Sequence, residues 1–264
     1  MGKIFAIANQ KGGVGKTTTC VNLAASLVAT KRRVLLIDLD PQGNATTGSA
    51  VDKHDLENSI YDVLTDQCTV AEAMQYSEHG GYQLLPSNRD LTAAEVALLD
   101  VKNKERRLEK ALAPIKDNYD YILIDCPPSL NMLTVNALAA ADSVIIPMQC
   151  EYYALEGLTD LVGSIQQIAA VVNPKLKIEG VLRTMYDPRM SLTVDVSEQL
   201  KQHFPDELYD TVIPRNIRLA EAPSFGMPVL AYDKSSKGAQ AYLALAKELA
   251  RRQRAQKRTT AVQD

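Results

Sequence analysis

Near the start of the chain, Asn9-Gln10-Lys11-Gly12-Gly13-Val14-Gly15-Lys16-Thr17-Thr18 has the composition of a loop that grips phosphate. Gly12, Gly13 and Gly15 let main-chain N–H groups approach an anion with no Cβ in the way. A helix starting here would add the positive end of its dipole. Lys16 would bridge the β- and γ-phosphates of a nucleotide, and the Thr17 hydroxyl would ligate Mg²⁺. Val14 and Thr18 complete the cradle. The ordinary G-x-x-x-x-G-K-[ST] spacing would put glycine at position 10, where Gln10 stands. A second lysine, Lys11, precedes Lys16 instead. The dinucleotide pattern G-x-G-x-x-G fails too, because its third glycine would fall on Thr18.

Carboxylates arrive from two other segments. Ile37-Asp38-Leu39-Asp40-Pro41-Gln42-Gly43-Asn44 and Ile122-Leu123-Ile124-Asp125-Cys126-Pro127-Pro128-Ser129 each close a short apolar run. Ligands of open α/β sheets bind at the C-terminal ends of strands. Asp125 has the position of a carboxylate that holds Mg²⁺ through water, and Asp38 and Asp40 join it as candidates. A lone aspartate at a strand end more often caps a turn or helix. Three of them beside a phosphate loop favour the metal site.

For these groups to meet, strands must deliver them side by side. Residues 3–8, 33–39, 82–85, 121–125, 143–147, 178–185 and 211–213 read as strands, with 229–231 a further candidate. Helical patterns occupy 15–29, 106–115 and 239–249. Leu155, Leu158, Val162, Ile165, Ile168, Ala169 and Val172 recur at helical spacing and should face the core. Apolar strands alternating with helices imply an α/β fold: a mostly parallel, twisted sheet of about seven or eight strands, with helices on both faces. No linker or repeat divides the chain. Residues 1–250 should form one domain, and 251–264 a basic, polar, flexible tail. Residues 51–80 carry no readable motif.

The chain has 264 residues, 46% apolar and 23% charged, the balance of an ordinary globular protein. A net charge of −3 excludes a polycation but not a local basic face. Residues 247–264 hold six basic and two acidic groups, a net of +4; the remaining 23 basic and 30 acidic groups give −7. Cys20, Cys68, Cys126 and Cys150 share no C-x-x-C spacing and read as small buried hydrophobes in a reducing compartment. His54, His79 and His203 have no metal-ligand spacing. No apolar run is long enough to span a membrane, and no targeting segment is visible, so the expected location is cytoplasmic.

K-G-G-V-G-K-T-T resembles the deviant Walker A box of the ParA/MinD ATPases. The likeness runs over roughly residues 2–250. It is closest to partition ATPases of the ParA/Soj type, through ANQKGGVGKTTTCVNLAASL, LLIDLDPQGNATTG, LIDCPPSLNMLTVNALAAAD and IPRNIRLAEAPSFGMPV. The resemblance implies a P-loop ATPase domain with ATP and Mg²⁺ as cofactors. It implies that Lys11 reaches across a dimer interface to the partner's nucleotide, and that Asp40 positions the attacking water while Asp38 supports the metal's water shell. Pro214 and Asn216 would lie by the base, with Asn216 toward adenine. Arg189 and Arg218 would contact double-stranded DNA without sequence preference. ATP would drive homodimerisation, and a ParB-type centromere-binding protein would stimulate slow hydrolysis on the nucleoid.

Some relatives fit less well. A MinD-type membrane helix needs large apolar residues, and no Phe, Leu, Ile or Trp follows Leu249. An iron–sulfur reductase would need cysteine where Pro128 stands. The phosphate loop starts so early that no DNA-binding domain is expected ahead of it. Two alternatives stay open: a MinD-like or cargo-positioning ATPase acting on a protein or membrane partner, and a small-molecule ligase on the same scaffold.

Overall fold

A computed structural model describes residues 2–263, with side chains through Ala255. Seven strands form one sheet: β1 (Lys3–Ile7), β2 (Val34–Asp38), β3 (Gln75–Ser77), β4 (Tyr82–Leu85), β5 (Tyr121–Asp125), β6 (Ser143–Gln149) and β7 (Lys177–Thr184). Their order is β3-β4-β2-β5-β1-β6-β7. Every neighbouring pair is parallel except β3 with β4.

Both faces of the sheet are covered, and strand alternation divides the core in two. Ile4, Ala6, Leu35, Ile37, Ile122, Ile124, Val144 and Ile146 point to one face. They meet Leu133 and Ala137 of the Met132–Ala140 helix, and Leu158, Leu161 and Ile165 of the Ala154–Val172 helix. Phe5, Ile7, Val34, Leu36, Leu123 and Ile145 point to the other face. There they pack on Leu23 and Leu27 of helix α1 (Lys16–Ala29), and on Tyr242, Leu245 and Leu249 of the C-terminal helix (Lys237–Gln263). Each such side chain, fully buried, contributes about 1.5–3 kcal/mol relative to exposure. The parallel arrangement sends the C-terminal ends of β1, β2 and β5 to one edge, and that edge carries the phosphate loop and all three aspartates.

Two expectations are corrected. Residues 211–213 are not a strand. The chain there runs beside β7 as an irregular edge, held by isolated bridges from Val181 to Leu208 and from Tyr186 to Pro214. The reason lies in the C-terminal helix: Glu248 accepts the N–H groups of Asp210 and Thr211, both at 2.9 Å, and so takes donors a ladder would use. Residues 229–231 belong to a short helix, Val229–Tyr232. Pro228 stands just before its first turn, and Asn22 Oδ1 accepts the Val229 N–H at 2.6 Å. Residues 251–263 continue the C-terminal helix. Arg252 anchors that extension, donating to Glu248 at 3.0 Å with its guanidinium 4.4 Å from the Tyr209 ring centroid.

The stretch 51–80 holds β3 and two short helices, Ile60–Leu64 and Val70–Ala73. Each helix starts with a capping box, Ser59 with Asp62 and Thr69 with Glu72.

Candidate nucleotide-binding site

β1 delivers the chain into the phosphate loop, and α1 leaves it at Lys16 with Gly15 as the N-cap. Gly13 and Gly15 have φ of 75° and 89°, values at which a Cβ is strained. A side chain at Gly13 would meet nothing within 4 Å, so backbone conformation alone demands glycine there. The loop is tied from below: Thr184 Oγ1, at the end of β7, donates to Val14 O at 2.8 Å and lies 3.0 Å from Met148 O. The Lys16 ammonium turns back over the loop and donates to Lys11 O at 3.2 Å. Burial pulls its pKa down, while the carboxylates of Asp125 and Asp40 pull it up.

Asp38 and Asp125 are register partners across β2 and β5, and both are wholly buried. Their carboxyl pKa values are raised, first by burial; Asp38 then adds to the rise at Asp125. Their hydrogen bonding differs. Asp38 Oδ2 accepts the Thr46 N–H at 2.8 Å and the Thr46 hydroxyl at 2.7 Å, while Oδ1 accepts the Asp40 N–H at 3.2 Å. That carboxylate organises the loop after β2. Asp125 Oδ1 accepts the Cys20 thiol at 3.4 Å, and Oδ2 has no hydrogen-bond partner among the described residues. An unpartnered buried carboxylate oxygen is costly. With the Thr17 side chain beside it and opposing the pKa rise, it fits a divalent cation.

Asp40 is half-buried. Its Oδ1 accepts the Gln42 N–H at 2.9 Å, and its carbonyl accepts the Ser87 hydroxyl at 2.9 Å. It is close enough to Lys16 and Asp125 to influence both electrostatically. Lys16, Thr17, Asp38, Asp40 and Asp125 are thus brought together. Lys11 is turned aside: its ammonium pairs with Glu151 of the same chain, at the mouth of a cavity of about 620 Å³. Tyr152 and Tyr153 line that mouth, edge to face with ring centroids 4.9 Å apart.

Pro214 and Asn216 line a separate hollow of about 180 Å³ with Gly15, Thr18, Thr184 and Tyr242, next to the phosphate loop. Asn216 also caps a helix, its Oδ1 accepting the Leu219 N–H at 3.3 Å, which leaves the amide Nδ2 for a ligand. Arg189 and Arg218 are exposed, and each has a carboxylate partner. Arg189 forks onto Asp187 at 2.9 and 2.7 Å. Arg218 pairs with Glu221 at 2.8 Å and Asp233 at 3.4 Å. They do not touch each other, but the segments that carry them start from one bridge, where Arg215 N–H donates to Tyr186 O at 3.3 Å.

Four contributors lie outside the residues singled out by sequence: Cys20, Thr46, Glu151 and Thr184. Cys20 follows Lys16 by one helical turn, a spacing that places it on the same face. Thr46 lies eight residues after Asp38, within the LLIDLDPQGNATTG segment, whereas Glu151 and Thr184 offer no local signal because their contacts cross the fold.

The AAA domain family matches residues 2–178. The sporulation initiation inhibitor protein Soj of Bacillus subtilis is 53% identical over 250 residues, covering 95% of this chain and 99% of Soj. The chromosome partitioning protein ParA of Caulobacter vibrioides is 50% identical over 254 residues, covering 96% and 95%. Among solved structures, cobyrinic acid a,c-diamide synthase from Mycobacterium smegmatis with bound ADP and magnesium aligns with a TM-score of 0.84 at 38% identity, covering 96% of each chain. Among the described residues, no helix is long and apolar enough to cross a membrane.

Proposed function

The chain belongs to the ParA/Soj family of chromosome-partitioning ATPases, and from that membership we propose that it is a DNA-segregation switch gated by ATP. The observation that carries this reading is the convergence of Lys16, Asp38, Asp40 and Asp125 at one edge of the sheet, with Asp125 Oδ2 left unpartnered.

In this reading the main-chain N–H groups of Gly12–Thr17 and the Lys16 ammonium hold the β- and γ-phosphates. Thr17 and Asp125 hold Mg²⁺, which would neutralise charge on the phosphate oxygens. Asp38 keeps the loop after β2 in place through Thr46 and the Asp40 N–H, and Asp40 orients the water. The base sits against Pro214, with Asn216 Nδ2 toward it. Lys11 leaves Glu151 and crosses to the partner's nucleotide, which couples ATP binding to homodimerisation. Arg189 and Arg218 then hold double-stranded DNA through its phosphates, and two copies of the surface give avidity. A ParB-type centromere-binding protein stimulates hydrolysis and resets the cycle at the nucleoid, in the cytoplasm.

Lys16→Gln should abolish the nucleotide response in analytical ultracentrifugation. Asp40→Ala should still dimerise with ATP but stop hydrolysing it. An Asp40→Ala protein that stays monomeric with ATP would refute the role given to Asp40. The likeness to the synthase supports a second reading, an ATP-dependent ligase. That reading requires rapid turnover that depends on a small acceptor, with no change in oligomeric state.

A further inference from the structure

A basic cleft lies at the end of the sheet opposite the phosphate loop. Helix α1 runs 14 residues from the loop to Ala29, about 21 Å at ~1.5 Å per residue. Just beyond its far end, Thr30 and Arg32 face Lys247, Ala250, Arg251 and Arg254 of the C-terminal helix across a cleft of about 490 Å³. A neighbouring hollow of about 180 Å³ shares Arg32, Ala250 and Arg254, and adds Lys3 and Asp120.

The charges here are unbalanced. Among the described residues, no carboxylate lines the larger cleft. In the smaller hollow, Asp120 is already engaged, accepting the Arg33 N–H at 2.8 Å and pairing with the Arg33 guanidinium at 3.7 Å. Arg251 pairs with Asp210 at 3.1 Å. The side chains of Arg32, Lys247 and Arg254 make no hydrogen bond or ion pair among the described residues. Lys247, Arg251 and Arg254 follow one another at helical spacings of four and three, so they share a stripe. Outside 247–264 the chain carries a net charge of −7, so this concentration is local.

Arg32, Lys247 and Arg254, cations without carboxylate partners among the described residues, suit a run of phosphates. The guanidinium groups match phosphate oxygens in pairs. The two hollows together extend beyond what a single phosphate would need. We propose that this cleft is a second, sequence-independent contact for the backbone of duplex DNA, remote from Arg189 and Arg218. It rests on the DNA-binding reading above but differs in its control. The lining comes from the segment after α1, the C-terminal helix, the start of β1 and the turn before β5, all within a single chain. The contact is therefore complete in the monomer and needs no nucleotide.

Random-sequence duplex DNA, titrated by fluorescence anisotropy at several salt concentrations, tests this. Four proteins are compared, without nucleotide and with ATP: wild type, Lys247→Glu/Arg254→Glu, Lys247→Gln/Arg254→Gln and Arg189→Ala/Arg218→Ala. Lys247 and Arg254 are both exposed, so the fold should survive, and melting temperatures check it. The wild type should bind weakly without nucleotide, and Arg189→Ala/Arg218→Ala should keep that weak binding. The Lys247→Glu/Arg254→Glu protein should lose about tenfold in affinity, and its salt slope should fall by about 2, roughly one per lost phosphate contact. The glutamine pair should lose less, in the same direction. Wild-type affinity in both Lys247/Arg254 variants, or no binding by wild type without nucleotide while ATP-dependent binding persists, would overturn the cleft and leave the partition reading intact. No DNA binding by wild type even with ATP would overturn both.

Discussion

Asp125 carries a free-energy cost that its role explains. It is wholly buried beside Asp38, and burial raises its pKa above the unfolded value. The sign follows from linkage. Below the unfolded carboxyl pKa of about 3.9 the group is protonated in both states and adds no penalty. As pH rises from that value toward the higher folded one, the unfolded chain gives up a proton that the buried carboxyl keeps, so stability falls, and the loss is complete above the folded value. Asp125→Asn should therefore melt at a higher temperature than wild type at neutral pH without nucleotide, with the gap closing toward about pH 4. The same variant should lose Mg²⁺-dependent nucleotide binding. Equal melting temperatures across that range would contradict the burial argument. Cys20 bears on the same group, since its thiol donates to Asp125 Oδ1. A hydrogen bond to a charged group contributes about 1.5–3 kcal/mol. Cys20→Ala should raise the Mg²⁺ concentration needed for nucleotide binding about tenfold, and Cys20→Ser should restore it. The roles proposed for Lys16, Thr17 and Asp125 follow from their types and spacing. That Cys20 is more than a core hydrophobe does not, because a buried thiol and a thiol donor look alike in sequence. The expected place of Asp38 in the metal's water shell remains a proposal: its oxygens accept from Thr46 and the Asp40 N–H, and a carboxylate with about four lone-pair sites can accept a water as well.

At the level of elements, the site depends on loops being held from outside themselves. Thr184 reaches the phosphate loop from β7, and no pattern within residues 9–18 announces it. Thr184→Val removes that hydroxyl while keeping the side chain's shape. Nucleotide affinity should fall about tenfold, at about 0.5–1.5 kcal/mol per lost hydrogen bond, with a smaller change in melting temperature. A loss of stability with unchanged affinity would make Thr184 merely structural. Gly226 shows another kind of restraint: its φ is 64°, and an added Cβ would stand 2.9 Å from Ala50 Cα. Gly226→Ala should destabilise the protein by about 1–3 kcal/mol, measured by chemical denaturation. The central strands were legible because apolar β-branched runs have few other homes. The failures at 211–213 and 229–231 have a common cause. Distant side chains, Glu248 and Asn22, capture main-chain donors that local sequence offers to a ladder or leaves open.

Across the whole molecule, charge and symmetry decide what the nucleotide controls. A chain of net charge −3 binds DNA only where cations gather. Arg189 is held by a carboxylate of its own loop and Arg218 by one of its own short helix, Ile217–Glu221, which weakens any contact made by one subunit alone. In the proposed switch, pairing two chains through ATP would double the surface, and avidity would raise affinity without any new contact in either subunit. The sheet, the loop and the aspartates could be read from sequence because their chemistry is local. The ion pair between Lys11 and Glu151, and the basic cleft below α1, could not, since each joins residues far apart in the chain. The central claim is that ATP gates DNA binding. Its most direct test is the affinity of wild type, Arg189→Ala and Arg218→Ala for random-sequence duplex DNA in ADP and in ATP. ATP should raise wild-type affinity by about tenfold or more, salt should weaken it, and either arginine change should remove most of the gain. Equal affinity in ADP and ATP, from a protein that still dimerises with ATP, would contradict the account.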